Sequence, residues 1–396
     1  MQFQLFEAEQ AFADQVEEFI AQHWLDVAEP RRRLSAWQNA AGSESLRQQW
    51  YRSVVDVGWS VPHWPIEYGG CDWTRKQLHI WLSACLKYQT PAVLTFATAH
   101  VGPLLIEHGN AQQRALLQRM ATFEESWCLG WADRRAATDS YGVNTRILRT
   151  PREISISGTK TRVIDGMTAA WMMCVTGGEG NEPNENRSSI VLLPLDQKGV
   201  KRDPKAALST GRAMAEIVLN NALAASWATL DVPLDELRRR LTGLAANDLS
   251  ALADSAALTE QVRQLKDRVA ADPNMEFGLL RDCDALAIEA SGLLGMEQRA
   301  ITQGELPLPA VRLRAQTLWG KLSELQIAAF GYYAMPFVDS ALADNEGSVD
   351  NTRPVGEMDM TMVMRRMLSP AIATELGVDL HDSLAQEVLG LPVQDE

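Results

Sequence analysis

The chain has 396 residues, 46% of them hydrophobic and 22% charged, which is a globular balance and enough length for two or three domain-sized cores. Its 37 basic residues stand against 51 acidic ones, and the resulting net charge of −14 repels nucleic acid phosphates, so no nucleic acid partner is expected. The five cysteines never occur in CxxC spacing and the six histidines form no HExxH pair, so we predict neither a disulfide framework nor a metal site.

The first twenty residues are amphipathic and acidic, rather than a basic start followed by an apolar stretch. This is not the pattern of a signal peptide, and no stretch of the sequence is long and apolar enough to span a membrane. We therefore expect a cytoplasmic protein with no membrane span.

The N-terminal part of the chain has the spacing of helices. Apolar residues recur at helical intervals in Phe3–Ile20, Leu46–Val57 and Leu78–Leu86. A further helix is predicted over Gln112–Met120, with Asn110 as its N-cap. A loop rich in proline and glycine, from Val61 to Gly70, separates the second helix from the third.

The middle of the chain has the pattern of short strands. Residues Glu153–Ser157 alternate between polar and apolar, and three apolar runs bounded by turn residues follow at Trp171–Thr176, Ser189–Leu195 and Ile217–Leu219. The polar stretch Gly177–Arg187 predicts a loop between two of these strands. We interpret this part as a small β-domain.

Helical spacing returns after Asp231. Leucine- and alanine-rich segments predict helices over Leu237–Val269, Phe277–Gln303 and Ala310–Ala334. The order of helices, then strands, then helices is an unusual architecture, and the sequence contains no internal repeat.

Three segments resemble the acyl-CoA dehydrogenase family in the same order and at the same spacing. The first is the loop Gly58–Gly70, and the last is Glu387–Pro392, which is similar to the family's terminal VLGLP. Between them, Val101–Gly109 with the following QQR, and then Glu124–Cys128, resemble the helices that enter the family's β-domain. The resemblance extends over essentially the whole chain.

This resemblance implies a multidomain α and β fold with three parts. They are an N-terminal all-α domain (residues 1–124), a middle β-barrel (residues 125–232) and a C-terminal four-helix bundle (residues 233–396). In the family, FAD lies between the last two domains and accepts a hydride from an acyl-CoA thioester, after a carboxylate removes the α-proton. The implied activity is α,β-desaturation of a CoA thioester by an FAD-dependent oxidoreductase.

The flavin motifs of the family are only partly kept. In the first motif Asp139 is retained, Trp131 replaces another aromatic residue, Thr138 replaces serine and Asp133 is a shortened glutamate, whereas Leu129, Ala132 and Arg134 depart from the pattern. In the second motif Lys160 is retained, Arg162 stands for the tryptophan that packs on the flavin, and Ile164 stands for a hydroxyl residue. The resemblance therefore implies cofactor contacts by Trp131, Asp133, Thr138, Asp139, Lys160, Arg162 and Ile164.

The altered positions weaken the expected affinity for FAD. An arginine side chain can stack on a ring, so Arg162 is compatible with a flavin, but Ile164 cannot donate a hydrogen bond from its side chain. Each missing hydrogen bond costs about 1 kcal/mol, and three or four losses weaken binding by about a hundredfold to a thousandfold. A β-domain that keeps the fold without a cofactor is an equally good interpretation.

The catalytic base has two candidate locations. Counting back from Pro392, the family's C-terminal carboxylate falls at Thr374, with Glu375 one residue further on. Other members carry the base on the first helix of the C-terminal bundle, where this chain has Asp248, Asp254 and Glu260. A solvated surface charge is the alternative interpretation of each.

Three functional hypotheses remain open at this stage. Leu318–Gln326 resembles the family helix that packs in the dimer, so the subunit contact is better kept than the flavin contacts. The first hypothesis is a subunit of a heteromeric acyl-CoA dehydrogenase, which binds FAD only with a second dehydrogenase-like chain. The others are a self-sufficient FAD dehydrogenase, oxidase or monooxygenase on the same fold, and a non-catalytic scaffold. A homo-oligomer is also compatible with the sequence, and the acyl group is not specified.

Overall fold

The computed structural model describes residues 7–25, 41–88, 90–133, 144–177, 189–205, 214–233, 236–237, 240, 253–272, 277–303, 309–330, 385 and 391. The predicted order of an N-terminal helical part, a middle β part and a C-terminal helical part is confirmed. The predicted loop Gly177–Arg187 lies outside the described residues, except for Gly177 itself.

The described residues of the N-terminal part contain six α-helices. They are α1 (Glu7–Ile20), α2 (Ala41–Asp56), α3 (Arg75–Lys87), α4 (Gly102–His108), α5 (Ala111–Arg114) and α6 (Leu117–Ala121), with π-helical turns at Ala21–Leu25 and Ala97–Val101. Thr74 and Gln77 form a capping box at the start of α3, which satisfies backbone N–H groups that a helix start leaves free.

The core of the first three helices is aromatic. Trp24, Trp50, Trp59 and Trp81 are all buried, and the rings of Trp50 and Trp81 stack with centroids 5.8 Å apart. Offset ring pairs add about 0.5–1.5 kcal/mol to the burial of these large surfaces. Ile301, from the C-terminal helices, belongs to the same cluster, so the two helical parts share a core.

The segment predicted as one helix over Gln112–Met120 is instead two short helices, α5 and α6. The predicted cap is confirmed, because Asn110 forms a capping box with Gln113. The break follows from local hydrogen bonding: the N–H of Leu116 bonds to the carbonyl of Gln113, three residues back, which tightens the chain. The Gln113 side chain also donates to the carbonyls of Trp227 and Thr229, at 3.0 and 2.7 Å, and ties this turn to the β-domain.

In the described part of the middle segment, eight strands form two four-stranded sheets over one core. They are β1 (Trp127–Gly130), β2 (Arg146–Arg149), β3 (Glu153–Ile164), β4 (Trp171–Thr176), β5 (Ser189–Pro194), β6 (Val200–Lys205), β7 (Met214–Ala225) and β8 (Thr229–Leu230). One sheet has the order β1-β4-β5-β8, with β1 and β4 parallel, and the other is antiparallel in the order β2-β3-β7-β6. Inward-facing residues of both sheets, such as Ile156 and Val191, belong to one hydrophobic cluster.

The C-terminal part contains three described helices, α7 (Asp254–Ala271), α8 (Phe277–Thr302) and α9 (Pro309–Phe330). Leu258, Leu286 and Leu318 lie in their shared core. The predicted helix Leu237–Val269 is described only in part: Leu237 is helical, residues 241–252 lie outside the described ranges, and α7 continues to Ala271. The rest of the predicted four-helix bundle concerns residues outside the described part.

The loop between α2 and α3 contains a partly buried histidine, His63. Nε2 of His63 and Nε1 of Trp64 lie 3.1 and 3.0 Å from the same carbonyl, that of Thr98. Loss of solvent around the imidazole lowers the pKa of His63 to about 4, against the opposing effect of the Thr98 hydrogen bond. His63 is therefore neutral in the folded protein near neutral pH.

Candidate cofactor site in the β-domain

The two segments that resemble flavin motifs meet in the β-domain. The chain leaves β1 at Gly130, and Asp133 forms a single antiparallel bridge with Lys160 of β3. This bridge connects the two sheets, because β1 belongs to one and β3 to the other. Lys160, Arg162 and Ile164 lie on β3, at a point where its register with β7 shifts between Lys160 and Val163.

Lys160 points into the protein rather than outward. It is fully buried, and its Nζ lies 2.6 Å from Oδ1 of Asp133. The same Nζ donates to the carbonyls of Trp131 and Val175, at 3.1 and 2.5 Å. A lysine ammonium group has three N–H donors, so these three partners use its whole capacity.

Both carboxylate oxygens of Asp133 also accept hydrogen bonds within the protein. Its Oδ2 accepts from the backbone N–H of Thr145 at 2.5 Å, and its Oδ1 accepts from the Thr145 hydroxyl at 2.7 Å. Thr145 packs closely on β3, since a Cβ added at Gly158 would lie 2.6 Å from its Oγ1 and 2.9 Å from its Cα. The buried carboxylate is thus paired and hydrogen-bonded, as a buried charge requires.

Arg162 is the exposed member of the group. Its side chain is solvent-exposed, and its backbone has φ of 55°, in the left-handed region, at the register shift of β3. That conformation costs an L-residue about 1–2 kcal/mol, and such strain is found most often at functional sites. Ile164 is half-buried, and Trp131 is 8% exposed and packs in the core of the β-domain.

The remaining predicted site residues are less fully described. Thr138, Asp139, Glu375 and Asp248 lie outside the described residues, so their roles stay predictions. Asp254 is the first residue of α7, and the description does not extend to its side chain.

Glu260 is poorly suited to act as a base. It is half-buried on α7, and Arg263 and Gln264 donate hydrogen bonds to its carboxylate. Burial raises the pKa of this carboxyl group, but the hydrogen bonds and the arginine charge outweigh burial and hold the pKa below its ordinary value. A weakly basic carboxylate is the wrong group to remove a weakly acidic α-proton.

The described residues fit a flavin only in part. Asp133 and Lys160 use their hydrogen-bonding groups within the protein, Trp131 is in the core, and Ile164 offers no side-chain donor. Of the predicted contact residues that the structure describes, Arg162 is the one whose exposed side chain can reach a ligand from the surface. The sequence did not predict the role of Thr145, whose only signal was the glycine at position 158 inside a strand.

One cluster among the described residues has the geometry of metal ligands. Glu107, His108 and Glu236 bring their ligand atoms within 4.8 Å of one another. Arg240 already neutralises both carboxylates, with Nη2 at 2.5 Å from Glu107 and 2.8 Å from Glu236. The cluster therefore contains its own cation.

No helix of the described chain has both the length and the apolar character needed to cross a membrane.

Residues 7–124 match the family model of the acyl-CoA dehydrogenase N-terminal domain. Acyl-CoA dehydrogenase IpdE1 of Mycobacterium tuberculosis is 24% identical over 306 residues, which cover 74% of this chain and 78% of that protein. Acyl-CoA dehydrogenase IpdE1 of Mycolicibacterium smegmatis is 24% identical over 233 residues, which cover 56% of this chain and 58% of that protein. The second match thus spans little more than half of its relative.

Solved structures share the fold over the full length. A steroid ACAD designated Tcur3481-Tcur3483 superposes with a TM-score of 0.75 at 16% identity, covering 100% of both chains. The ChsE4-ChsE5 complex from Mycobacterium tuberculosis gives a TM-score of 0.72 at 15% identity, also covering 100% of both. At these identities the likeness concerns the fold. The N-terminal match and the curated relatives show that the chain is similar to acyl-CoA dehydrogenases in sequence as well as in fold.

Proposed function

We propose that this chain is one subunit of a heteromeric acyl-CoA dehydrogenase that holds FAD only together with a second dehydrogenase-like chain. One observation carries the proposal: Asp133 and Lys160, at positions of the two flavin motifs, pair with each other inside the β-domain. Ile164 has no side-chain hydrogen-bond donor. Among the described residues of the two motifs, Arg162 is therefore the one whose side chain can approach a flavin from the surface.

The C-terminal helices support the same proposal. The segment that resembles the family's dimer helix lies on α9, where Leu318 and Leu322 are fully buried in a regular helical core. A subunit that completes the FAD site of another chain needs intact helical packing. It does not need a full set of flavin contacts of its own. Two structural neighbours carry paired designations, Tcur3481-Tcur3483 and the ChsE4-ChsE5 complex, which favours a partner for this chain too.

The proposed reaction is desaturation of a CoA thioester. FAD, when bound, supplies the hydride acceptor. For this chain we assign Arg162 to the flavin side of the subunit contact, where its guanidinium can stack on a ring or pair with an anionic group. The base is assigned to the partner chain, or to Glu375 or Asp254 of this one. Similarity to the Tcur3481-Tcur3483 steroid ACAD favours a steroid-derived acyl group as the substrate of this chain's assembly.

Co-expression with a second dehydrogenase-like chain encoded beside this one tests the proposal. The tagged chain should co-purify with that partner, and the pair should reduce an electron-acceptor dye when an acyl-CoA thioester is added. Each chain alone, supplied with FAD, should be inactive. Activity of the lone chain with FAD would instead establish a self-sufficient enzyme. A pair that assembles without flavin or activity would establish a scaffold.

A further inference from the structure

One face of α8 carries large apolar side chains that the described residues leave largely uncovered. Ile288 is 75% exposed and Met296 is 48% exposed, and Phe277, at the start of the helix, is 83% exposed. Ile288 and Met296 are eight residues apart, which places them on the same side of the helix. A single exposed apolar residue is ordinary, but several along one helical face mark a contact surface.

Gly292 lies midway between these two side chains, four residues from each, and is itself exposed. A Cβ added at Gly292 would meet no atom within 4 Å outside its own stretch of helix. Glycine weakens a helix relative to alanine, and no contact in the described part of the chain requires it here. Between two bulky apolar residues, glycine leaves a shallow notch that a second helix can approach closely.

This face is complementary to a second copy of itself. Two α8 helices that cross antiparallel at Gly292, about a two-fold axis, bring Ile288 of each copy opposite Met296 of the other. The two side chains meet because each is four residues from the crossing. Rows of residues four apart are the ridges that pack most often between helices in globular proteins, with axes about 8–10 Å apart.

The charged residues of the same face also fit this crossing. Arg299, seven residues after Gly292, lies opposite Ala285 of the copy. Arg281, eleven residues before Gly292, lies opposite Gln303 of the copy. Like charges that face each other across an interface oppose association, and this crossing brings none together among the described residues of α8.

The size of the face predicts a reversible dimer. The 26 residues of α8 make a helix about 39 Å long, and a stripe about 10 Å wide along it covers roughly 400 Å² on each copy. The total of roughly 800 Å² is less than the 1,200–2,000 Å² or so that stable interfaces bury. Association should therefore depend on the protein concentration.

We propose that the face of α8 formed by Ala285, Ile288, Gly292, Met296 and Arg299 binds a second copy of this chain across a two-fold axis at Gly292. The proposal does not rest on the proposed function, because it concerns the chain alone and uses none of the predicted flavin contacts. The other candidate occupants of the face are residues 331–384 of the same chain and the second dehydrogenase-like chain. The experiments separate them.

A cysteine at the crossing tests the two-fold geometry. In the full chain carrying Gly292→Cys, the two new thiols of a dimer meet, as a disulfide requires Cα atoms about 4.4–6.8 Å apart. Arg281→Cys is the matched control, because its two copies lie about 33 Å apart in the same dimer. Under a mild oxidant, we expect a disulfide-linked dimer to form roughly tenfold faster in Gly292→Cys than in Arg281→Cys. Wild type, treated in the same way, reports the background from native cysteines such as the partly exposed Cys71.

A charge placed on the face tests the contact itself. In sedimentation equilibrium, we expect the mean mass of the lone wild-type chain to rise towards twice the single-chain mass as its concentration increases. Ile288→Glu should keep the single-chain mass. Leu148→Glu is the matched control, because Leu148 is 68% exposed on β2 of the β-domain and should dimerise as wild type does. Circular dichroism shows whether both variants are folded.

A lone wild-type chain that keeps the single-chain mass at every concentration overturns the proposal, as do equal cross-linking rates in the two cysteine variants. If Ile288→Glu then fails to co-purify with the second dehydrogenase-like chain, the face belongs to that chain. If Ile288→Glu instead lowers the thermal midpoint of the lone chain, residues 331–384 cover the face. A dimer that persists in Ile288→Glu places the self-contact elsewhere and also overturns the proposal.

Discussion

Nζ of Lys160 lies 2.6 Å from Oδ1 of Asp133, and the two side chains are 0% and 1% exposed. The pair sits where a single backbone bridge connects the two sheets of the β-domain. A buried ion pair adds little net stability over an apolar pair of the same shape, but breaking one leaves a bare charge in the interior. The geometry gives both residues a part in the frame of the domain, which explains why Lys160 is kept and position 133 stays acidic in a chain whose flavin contacts are altered.

Removing one partner of this pair should destabilise the chain strongly. We expect Lys160→Met to lower the free energy of unfolding by about 3–5 kcal/mol, because Asp133 then stays buried with only Thr145 as a partner. Urea unfolding followed by circular dichroism measures this loss. Lys201→Met is the control, since Lys201 and Asp203 are 72% and 32% exposed and should contribute about 0–1 kcal/mol. Equal losses in the two variants would contradict the account.

The glycine at position 158 should not tolerate a side chain. The added Cβ of Gly158→Ala would lie 2.9 Å from the Cα of Thr145, and a backbone atom cannot turn aside. We expect a loss of about 1–3 kcal/mol in the free energy of unfolding. Gly320→Ala on α9 is the matched control, because no atom outside its own stretch of helix lies within 4 Å of its added Cβ. That helical substitution should stabilise by about 0.5–1 kcal/mol, and a neutral Gly158→Ala would show that β3 and Thr145 are further apart than described.

Replacing Arg162 should separate stability from flavin binding. Glycine adopts φ of 55° without steric cost, so Arg162→Gly should leave the free energy of unfolding unchanged or raise it by up to about 1 kcal/mol. Under the proposed function, the same variant should lower the flavin content of the assembled pair. Arg162→Lys keeps the charge without the planar stacking surface, and it shows which property the flavin uses. An unchanged flavin content in both variants would remove Arg162 from the proposed site.

The desolvated imidazole of His63 should make the chain less stable in acid. Its pKa falls to about 4 in the folded state, below the ordinary value of about 6.5, so the unfolded chain binds a proton that the folded chain does not. Stability is therefore lost as the pH falls from about 6.5 towards 4, and the full loss is about 1–3 kcal/mol. We expect His63→Gln to unfold with a smaller change between about pH 7 and pH 5 than wild type does. The same slope in both proteins would contradict this assignment.

The order of the elements could be predicted from the sequence, whereas their junctions could not. The strand Trp171–Thr176 and the helix beginning at Phe277 agree with the predictions because their apolar runs are bounded by turn residues. The split between α5 and α6 was not predicted, because Leu116 bonds three residues back to Gln113, whose side chain is held by the carbonyls of Trp227 and Thr229, more than a hundred residues away. The spacing of apolar residues within one segment carries no information about hydrogen bonds to distant parts of the chain.

The site was less predictable than the fold. The resemblance places Asp133 and Lys160 among the cofactor contacts, and only the three-dimensional register reveals that they face each other across a sheet junction. The left-handed backbone of Arg162 follows from the register shift of β3 against β7, which alternation in the sequence does not indicate. The altered residues themselves, Arg162 and Ile164, were visible from the motif.

The absorption spectrum of the full chain, purified alone and then with the co-expressed second chain, tests the central proposal most directly. We predict no flavin bands from the lone chain and flavin bands in the co-purifying pair, since the described residues leave too few contacts for FAD on one subunit. Flavin bands from the lone chain, in stoichiometric amount, would contradict the proposal and establish a self-sufficient flavoprotein with an altered pocket.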